Sequence, residues 1–429
     1  MRIASVAIHR GCPMARQFDI PTFYRSDIIS RLKRVRQARD PKKRDLTPTL
    51  LDFGSVRFVL ARHFGFCFGV ENAIEIAFKT LNDHPDRRVF FLSEMIHNPN
   101  VNDDLQSRGV RFIFTTDGRQ LIPWRDLHAD DIVVVPAFGA TLEIERELSE
   151  RGIDPYTFNT TCPFVEKVWK LSMEVGVTGY TVVIHGKARH EETRATFSHS
   201  VERAPTLVVL DLEEAKLLAD VIRGDLQPER FTAIFGPTSS PDFDPDTDLA
   251  RIGVVNQTTM LASETREITA IIRQALIDRY GKENLNAHFA DTSDTLCYAT
   301  NENQNATYAL IDHGADLALV VGGYNSSNTS HLVNLLENAF PTYFIRDFEE
   351  VLSAHIIRHF DLSSKQVVTS RDWLPEGKRT DIVLTCGASC PDAVVDAVLL
   401  RVLSFFPDAY PVNQVMADVE STEAVLKVS

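Results

Sequence analysis

Short apolar runs alternate with amphipathic stretches from about residue 57 onward. The runs RFVLA, RVFFLS, DIVVVPAFG, YTVVIHG, RIGVVNQTT, DLALVVGG and DIVLTCGAS are rich in β-branched residues and typical of buried strands. Between the first two runs, apolar residues recur at the helical period: Val70, Ala73, Ile74, Ala77, Phe78 and Leu81. This alternation predicts an α/β fold with mainly parallel sheets.

Residues 1–56 follow a different pattern, and we interpret them as an N-terminal extension outside the core. A basic run from Arg31 to Arg44 contains one acidic residue, Asp40. Ser26 is a candidate cap for a short amphipathic helix, and Pro41 predicts the end of that helix.

The composition narrows the class of protein. The 429 residues include 59 acidic and 45 basic side chains, a formal charge of −14, which repels nucleic acid and anionic membrane surfaces. No apolar run is long enough for a membrane span or a secretory signal, so we expect a cytoplasmic protein. The opening MRIASVAIHRGCPMARQ is basic and faintly resembles a transit peptide, so organelle import stays open.

Cysteines provide the first candidate chemistry. The six are too scattered for a disulfide scaffold, which leaves thiols or metal ligands. Cys67, Cys162 and Cys297 each precede an apparently helical stretch, although a lone cysteine is more often a small buried apolar residue. Polar turns at the strand ends raise the case for a site, because open α/β sheets bind ligands there.

Three of these turns carry groups suited to an anion. The turn HGKARHEET holds His190 and Glu192, which together can bind an anion and deliver a proton. The turn GGYNSSNTSH offers Ser326, Ser327 and Asn328, and GASCPD offers Ser389, as hydrogen-bond donors to phosphate. Taken alone, either of the last two turns is more often a helix cap.

Eight ordered motifs carry a family resemblance. They are GFCFGVENA, EMIHNPNVN, TTCPFVEKVW, HGKARHEET, NQTTM, LCYAT, VVGGYNSSNTSHL and GASCPD. From about Phe58 to about Leu400, the chain resembles the 4-hydroxy-3-methylbut-2-enyl diphosphate reductases, the LytB or IspH family. The resemblance implies reductive removal of the substrate hydroxyl to give isopentenyl and dimethylallyl diphosphate, the last step of the non-mevalonate isoprenoid pathway.

The resemblance also implies a cofactor and roles for individual residues. A [4Fe-4S] cluster would be held by Cys67, Cys162 and Cys297, with one iron open to the substrate hydroxyl. Glu192 would supply protons, with Thr258 and His190 as further catalytic residues. The diphosphate would be bound by His97, His190, Ser326, Ser327, Asn328 and Ser389.

One position departs from the pattern of the shorter bacterial members. Phe138, in VVVPAFGAT, stands where those members carry a histidine, and phenylalanine cannot donate a hydrogen bond to phosphate. The PAFGAT form, the HGKxxHEET turn and the N-terminal extension instead resemble the plant and cyanobacterial branch. We therefore expect activity with a partly rearranged diphosphate site.

The resemblance implies three α/β domains around a central cluster. We divide the chain into the extension 1–56, a first domain 57–161 with Cys67, a second domain 162–296 with Cys162, and a third domain 297–429 with Cys297. The strand before Cys67 could instead pack with the third domain.

Electrons must come from a partner, because no G-x-G-x-x-G fingerprint follows a strand. We expect ferredoxin or flavodoxin, with its reductase, as the donor, and neither nucleic acid nor membrane as a partner. The run Arg31–Arg44 could dock an acidic donor, although a solvated helix face is the more common role of such a run.

Two other functions stay open from the sequence. A non-redox dehydratase would remove water without consuming electrons. A non-catalytic iron–sulfur sensor would need the cysteines but would have no use for Glu192 or the phosphate-binding turns.

Overall fold

The computed structural model describes residues 18–226, 228–290, 292, 295–375 and 379–425. The basic opening and Cys12 lie outside the described residues. Within those residues, no helix combines the length and the apolar character that crossing a membrane requires.

Fourteen strands form three sheets in the described part of the chain. They are β1 (Thr49–Asp52), β2 (Val56–Leu60), β3 (Val89–Phe91), β4 (Arg111–Phe112), β5 (Ile132–Val134), β6 (Thr181–His185), β7 (Thr206–Val209), β8 (Ile252–Asn256), β9 (Phe289–Ala290), β10 (Leu317–Val321), β11 (Thr342–Ile345), β12 (Ile356–Asp361), β13 (Gln366–Arg371) and β14 (Thr380–Cys386). All seven apolar runs form strands, which confirms that part of the prediction.

The helices lie between and around these strands. They are α1 (Ile29–Arg39), α2 (Phe68–Asp83), α3 (Pro99–Ser107), α4 (Leu142–Glu150), α5 (Pro163–Val177), α6 (Glu191–Val201), α7 (Leu212–Arg223), α8 (Pro228–Phe235), α9 (Pro245–Asp248), α10 (Ala262–Tyr280), α11 (Leu285–His288), α12 (Tyr298–His313), α13 (Ser327–Glu337), α14 (Asp392–Leu403) and α15 (Val412–Val425).

The sheets are mainly parallel, as predicted. The first has the order β4-β3-β5 and the second the order β7-β6-β8-β9, and all of their pairs are parallel. The third has the order β1-β2-β14-β10-β11-β12-β13, with antiparallel pairs at its edges. Its central strands are buried, which explains their continuous apolar sequences.

The strand before Cys67 belongs to the third sheet. β2 pairs with β14 in parallel register, with Phe58 opposite Ile382. A boundary at residue 57 therefore cuts through a strand of this sheet, whereas the divisions at 162 and 297 fall between sheets. The division into three domains otherwise stays a prediction.

The prediction that residues 1–56 lie outside the core is wrong for α1 and β1. Ile29, Leu32 and Leu51 are buried in the apolar core of the third sheet. Asp396 of α14 accepts hydrogen bonds from the backbone N–H groups of Ile28 and Ile29, both at 3.0 Å. A carboxylate from the far end of the chain thus satisfies the first free N–H groups of α1.

The basic run on α1 is partly neutralised within the chain. Arg31 pairs with Glu420, Lys33 with Asp392 at 2.6 Å, and Arg36 with Asp45 at 3.3 Å. These pairs reduce the charge available to a docking partner, and the docking role of the run stays a prediction.

We expect Asp396→Ala to loosen α1, because two buried N–H groups lose their acceptor. The local free energy of opening should fall by about 1–3 kcal/mol. Hydrogen exchange of the α1 amides, followed by mass spectrometry, measures this change. Glu420→Gln, which removes a partly exposed ion pair, should change this exchange much less. Unchanged exchange of α1 in Asp396→Ala would contradict the capping role.

Candidate active site

Three helix N-termini meet at one cavity. Cys67, Cys162 and Cys297 are the residues directly before α2, α5 and α12, as the sequence predicted. All three line the same cleft, which encloses about 680 Å³ of empty space, part of it open to solvent.

Each cysteine is tied to a different sheet through its backbone. The N–H of Cys67 donates to the Ala388 carbonyl after β14 at 3.2 Å. The N–H of Cys162 donates to the Ala137 carbonyl after β5 at 3.0 Å, and that of Cys297 to the Thr258 carbonyl after β8 at 3.4 Å. The loops that follow the central strands therefore position all three thiols.

Two of the cysteine-bearing helices approach each other closely at Gly69. A Cβ at this position would lie 2.6 Å from Cys162 Sγ, closer than any ordinary contact. Glycine is therefore required where the first turn of α2 passes the Cys162 thiol.

The three thiols need a positive charge to ionise. Burial raises the pKa of Cys67 to about 12 and that of Cys162 to about 11, and it also raises the pKa of Cys297. A bound metal stabilises the thiolates, and the helix N-termini around the thiols act in the same direction. The donor set therefore fits a thiolate-bound metal group.

The three thiols lie at the start of three separate helices. An iron–sulfur cluster spreads its cysteine ligands over several irons. Sulfur donors from three separate helix ends fit a cluster better than an isolated ion.

Glu192 is a buried carboxyl group beside these thiols. It is 1% exposed, lies in the first turn of α6, and accepts a hydrogen bond from the Thr258 N–H. Burial raises its pKa to about 7, against hydrogen bonds from Thr258 that lower it. Near neutral pH the group therefore exchanges a proton readily, as a general acid must.

His190 is held as a neutral donor. Its Nδ1 accepts a hydrogen bond from the Glu192 N–H at 3.2 Å. Burial holds the pKa of His190 well below its usual range, and the charges of His97, Lys187 and Arg194 act in the same direction. The ring proton is therefore on Nε2, which can donate to an anion.

His97 lies between Phe138 and His190. Its ring stacks on Phe138 with centroids 4.3 Å apart and meets the His190 ring edge-on at 5.0 Å. Its Nε2 lies 3.6 Å from a carboxylate oxygen of Glu191, and both side chains are buried. Phe138 thus offers no hydrogen bond but fixes the plane of the His97 ring.

The serine and asparagine turns cap a helix and also face the cavity. Ser326 caps α13, because its Oγ accepts from the Thr329 N–H at 3.2 Å. Asn328 Oδ1 accepts from the Ala388 N–H at 2.9 Å, whereas its buried Nδ2 has no hydrogen-bond partner among the described residues. The Ser389 hydroxyl donates to the His97 carbonyl at 3.0 Å. Capping and ligand binding are therefore compatible here.

All of the predicted site residues line this one cavity. They are His97, His190, Glu192, Thr258, Ser326, Ser327, Asn328, Ser389 and the three cysteines. Their roles in a reaction stay predictions.

Sequence reasoning missed Gln257, although it lies in the quoted motif NQTTM. Gln257 is fully buried, and its Oε1 accepts from the Thr193 hydroxyl at 3.0 Å and the Lys187 N–H at 3.1 Å. Its Nε2 donates to Thr259 at 2.8 Å and to Ser327 at 3.3 Å. This side chain joins the α6 and α13 sides of the cavity.

The comparisons with known proteins all indicate the same family. The family model described as "LytB protein" matches residues 58–403. A 4-hydroxy-3-methylbut-2-enyl diphosphate reductase of Synechococcus sp. (strain WH7803) is 42% identical over 355 residues, which cover 82% of this chain and 86% of that protein. The protein of the same name from strain RCC307 is 43% identical over 351 residues, 82% of this chain and 84% of its own length.

A solved structure supports the fold. The E-1-hydroxy-2-methyl-but-2-enyl-4-diphosphate reductase from Plasmodium falciparum matches with a TM-score of 0.56 at 21% identity. The match covers 80% of this chain and 87% of that chain. At this identity the similarity establishes the α/β fold alone.

We expect the stability of the metal-free protein to depend on pH through Glu192. Because its pKa of about 7 lies above the usual 4.5, the folded state holds the proton more tightly than the unfolded state. The resulting stabilisation is complete below pH 4.5 and is lost as the pH rises to about 7. The glutamine in Glu192→Gln does not titrate. The free energy of unfolding of this variant relative to the wild type should therefore rise by up to about 3 kcal/mol across this range.

Melting temperatures of both proteins at pH 5 and pH 7.5 measure the difference. Glu213→Gln, at an exposed position on α7, serves as the control. A constant gap between wild type and Glu192→Gln at both pH values would contradict the raised pKa.

Proposed function

This chain belongs to the LytB family, and we propose that it reduces 4-hydroxy-3-methylbut-2-enyl diphosphate to isopentenyl and dimethylallyl diphosphate, the last step of the non-mevalonate pathway. The observation that carries the proposal is the meeting of three cysteines, a proton-exchanging glutamate and several anion-binding groups at one cavity. Each of these parts is needed to remove a hydroxyl reductively from a diphosphate.

The protein is an iron–sulfur enzyme by its family, and we propose a [4Fe-4S] cluster. Cys67, Cys162 and Cys297 would hold three irons and leave the fourth open to the substrate. When bound, such a cluster supplies a Lewis-acidic iron and the electrons that promote cleavage of the C–O bond. Apolar residues, including Val70, line the cavity beside the cysteines.

The diphosphate would bind to groups that already present donors to the cavity. The neutral His190 donates through Nε2, and Asn328 donates through its unpartnered Nδ2. Ser326 and Ser327 add hydroxyl groups at the N-terminus of α13, where free N–H groups favour an anion. His97 and Ser389 complete the proposed set from the opposite turns.

Glu192 would hold the proton for the reaction. Its pKa of about 7 leaves a substantial protonated fraction near neutral pH. The N–H and the side chain of Thr258 both bond to this carboxyl group and hold it at the cavity. His190, through its Nδ1, keeps the first turn of α6 in place around this carboxyl group.

The electron donor and the compartment are further proposals. Ferredoxin or flavodoxin, with its reductase, is the donor that the missing dinucleotide motif calls for. We place the enzyme in the cytoplasm, with import into an organelle as the alternative.

The geometry favours catalysis over sensing. A sensor requires the cysteines alone, whereas Glu192 and the phosphate-binding turns surround the same cavity. A dehydratase would use those groups equally well and differs in consuming no electrons. Dependence on a reductant therefore separates a reductase from a dehydratase.

The decisive experiment is anaerobic turnover by the reconstituted protein with a chemical reductant. Wild type should form both isopentenyl and dimethylallyl diphosphate, and Cys162→Ser should form neither. Glu192→Gln should retain its iron but lose roughly a hundredfold or more in kcat, because it cannot donate a proton. Absence of product despite a full cluster would overturn the proposal. Loss of water from the substrate without a reductant, giving neither isopentenyl nor dimethylallyl diphosphate, would indicate a dehydratase.

We expect Gly69→Ala to bind less iron, because the added methyl group would displace Cys162 Sγ or the start of α2. Overpacking of this kind costs about 1–3 kcal/mol. Iron and acid-labile sulfide per chain measure the effect after anaerobic reconstitution. Gly236→Ala is the matched control, because its new Cβ meets nothing closer than 3.6 Å. Full iron content in Gly69→Ala would contradict the role of this close approach.

A further inference from the structure

The proposed diphosphate site lacks a permanent positive charge in its wall. Among the described residues, those that line the cavity include no lysine or arginine. His190 is neutral, and Glu192 adds negative charge whenever it loses its proton. A diphosphate would enter a chain of formal charge −14, so helix ends and neutral donors would have to offset its charge unaided.

Lys187 lies just behind this wall. It follows β6 in the turn that leads to α6, and its Nζ is 3.2 Å from Ser327 Oγ. Ser327 lines the cavity at the first turn of α13. The ammonium group therefore contacts Ser327, one of the residues proposed to bind the diphosphate.

The backbone of Lys187 is fixed at the same place. Its N–H donates to Gln257 Oε1 at 3.1 Å, and Gln257 Nε2 donates to Ser327 Oγ at 3.3 Å. Gly186 allows this approach, because a Cβ there would lie 3.0 Å from Gln257 Cβ. The turn is thus built to hold a cation beside Ser327.

Lys187 forms no ion pair with a described residue, and the Glu264 carboxylate acts on its charge only from a longer distance. Among the ion pairs of the described residues, which include the pairs of Lys33 and Lys216, none involves Lys187. The lysine is exposed as a whole, so its long side chain can move from Ser327 onto an anion in the cavity. An unpaired cation beside an anion site can form a charge-assisted hydrogen bond to the anion, and such bonds are stronger than neutral ones.

We propose that Lys187 binds the substrate diphosphate, contacting the phosphate that Ser327 holds. The inference rests on the proposed function and adds a residue that was not among the predicted ligands. It supplies the fixed positive charge that the wall itself lacks. Phe138, which packs on His97, has no donor to offer in its place.

Binding to the reconstituted holoenzyme tests this contact. Isothermal titration compares isopentenyl diphosphate with isopentenyl monophosphate for wild type, Lys187→Met and Lys187→Arg. Lys187→Met should bind the diphosphate about ten- to a hundredfold more weakly, lose less affinity for the monophosphate, and show a smaller effect of salt. Lys187→Arg should recover most of the affinity.

Steady-state kinetics provide a second readout. In Lys187→Met the KM for 4-hydroxy-3-methylbut-2-enyl diphosphate should rise while kcat stays within about threefold, since the contact is made before and during reaction. Lys216→Met, on α7, makes the same change of net charge at an exposed ion pair and should leave both constants unchanged. Melting temperatures confirm that each variant is folded.

The outcomes are distinct. Wild-type affinity in Lys187→Met would overturn the proposal and leave the proposed function intact. A loss of diphosphate affinity that Lys187→Arg does not recover and that leaves the effect of salt unchanged would show that Lys187 acts by placing Ser327, and would overturn the direct contact. A wild-type holoenzyme that neither binds isopentenyl diphosphate nor turns over the substrate would overturn the proposed function, and the contact with it.

Discussion

The structure of the candidate active site depends on the burial of three thiols at the N-termini of three helices. Burial disfavours the thiolate, as the raised pKa values of Cys67 and Cys162 show. Helix N-termini and a bound metal group oppose that penalty, and neither is effective unless all three helices begin at the same point. The backbone hydrogen bonds from the cysteines to Ala388, Ala137 and Thr258 impose this condition, one from each sheet.

The proposed diphosphate site would have to discriminate between anions. Neutral donors and helix ends give partial positive charge distributed around the walls, whereas Glu192 adds negative charge when it loses its proton. Such a site discriminates by the placement of its donors more than by net charge. Gln257 is central to that placement, because one buried amide connects the turns that hold Lys187, Thr193 and Ser327.

Much of the fold and of the site could be predicted from local sequence. The seven apolar runs form strands because parallel strands are buried on both faces. Each of Cys67, Cys162 and Cys297 precedes a helix, as the sequence predicted. The hairpin of β12 and β13 was missed because its partly exposed strands lack a continuous apolar run. The cap of α1 by Asp396 could not be found, since the two partners lie 368 residues apart.

The assignment of cysteines to domains shows the same limit. Local patterns place Cys67 at the start of the first segment, but its backbone is held by the loop after β14 in the third sheet. Sequence order reveals which residues are neighbours along the chain. It does not reveal which sheet a loop will be attached to, because that depends on strand pairs distant in sequence.

The pairing of β2 with β14 has a consequence for biosynthesis. Arg57 meets its partner Asp381 across 324 residues of intervening chain. At a synthesis rate of about 5–20 residues per second, the ribosome needs roughly 16–65 s to make that stretch. During this interval β2 has no parallel neighbour, and Cys67 has no carbonyl to hold it. Assembly of the proposed cluster would therefore wait until nearly the entire polypeptide has been made. A truncated nascent chain would expose two of the proposed thiol ligands without the third in place.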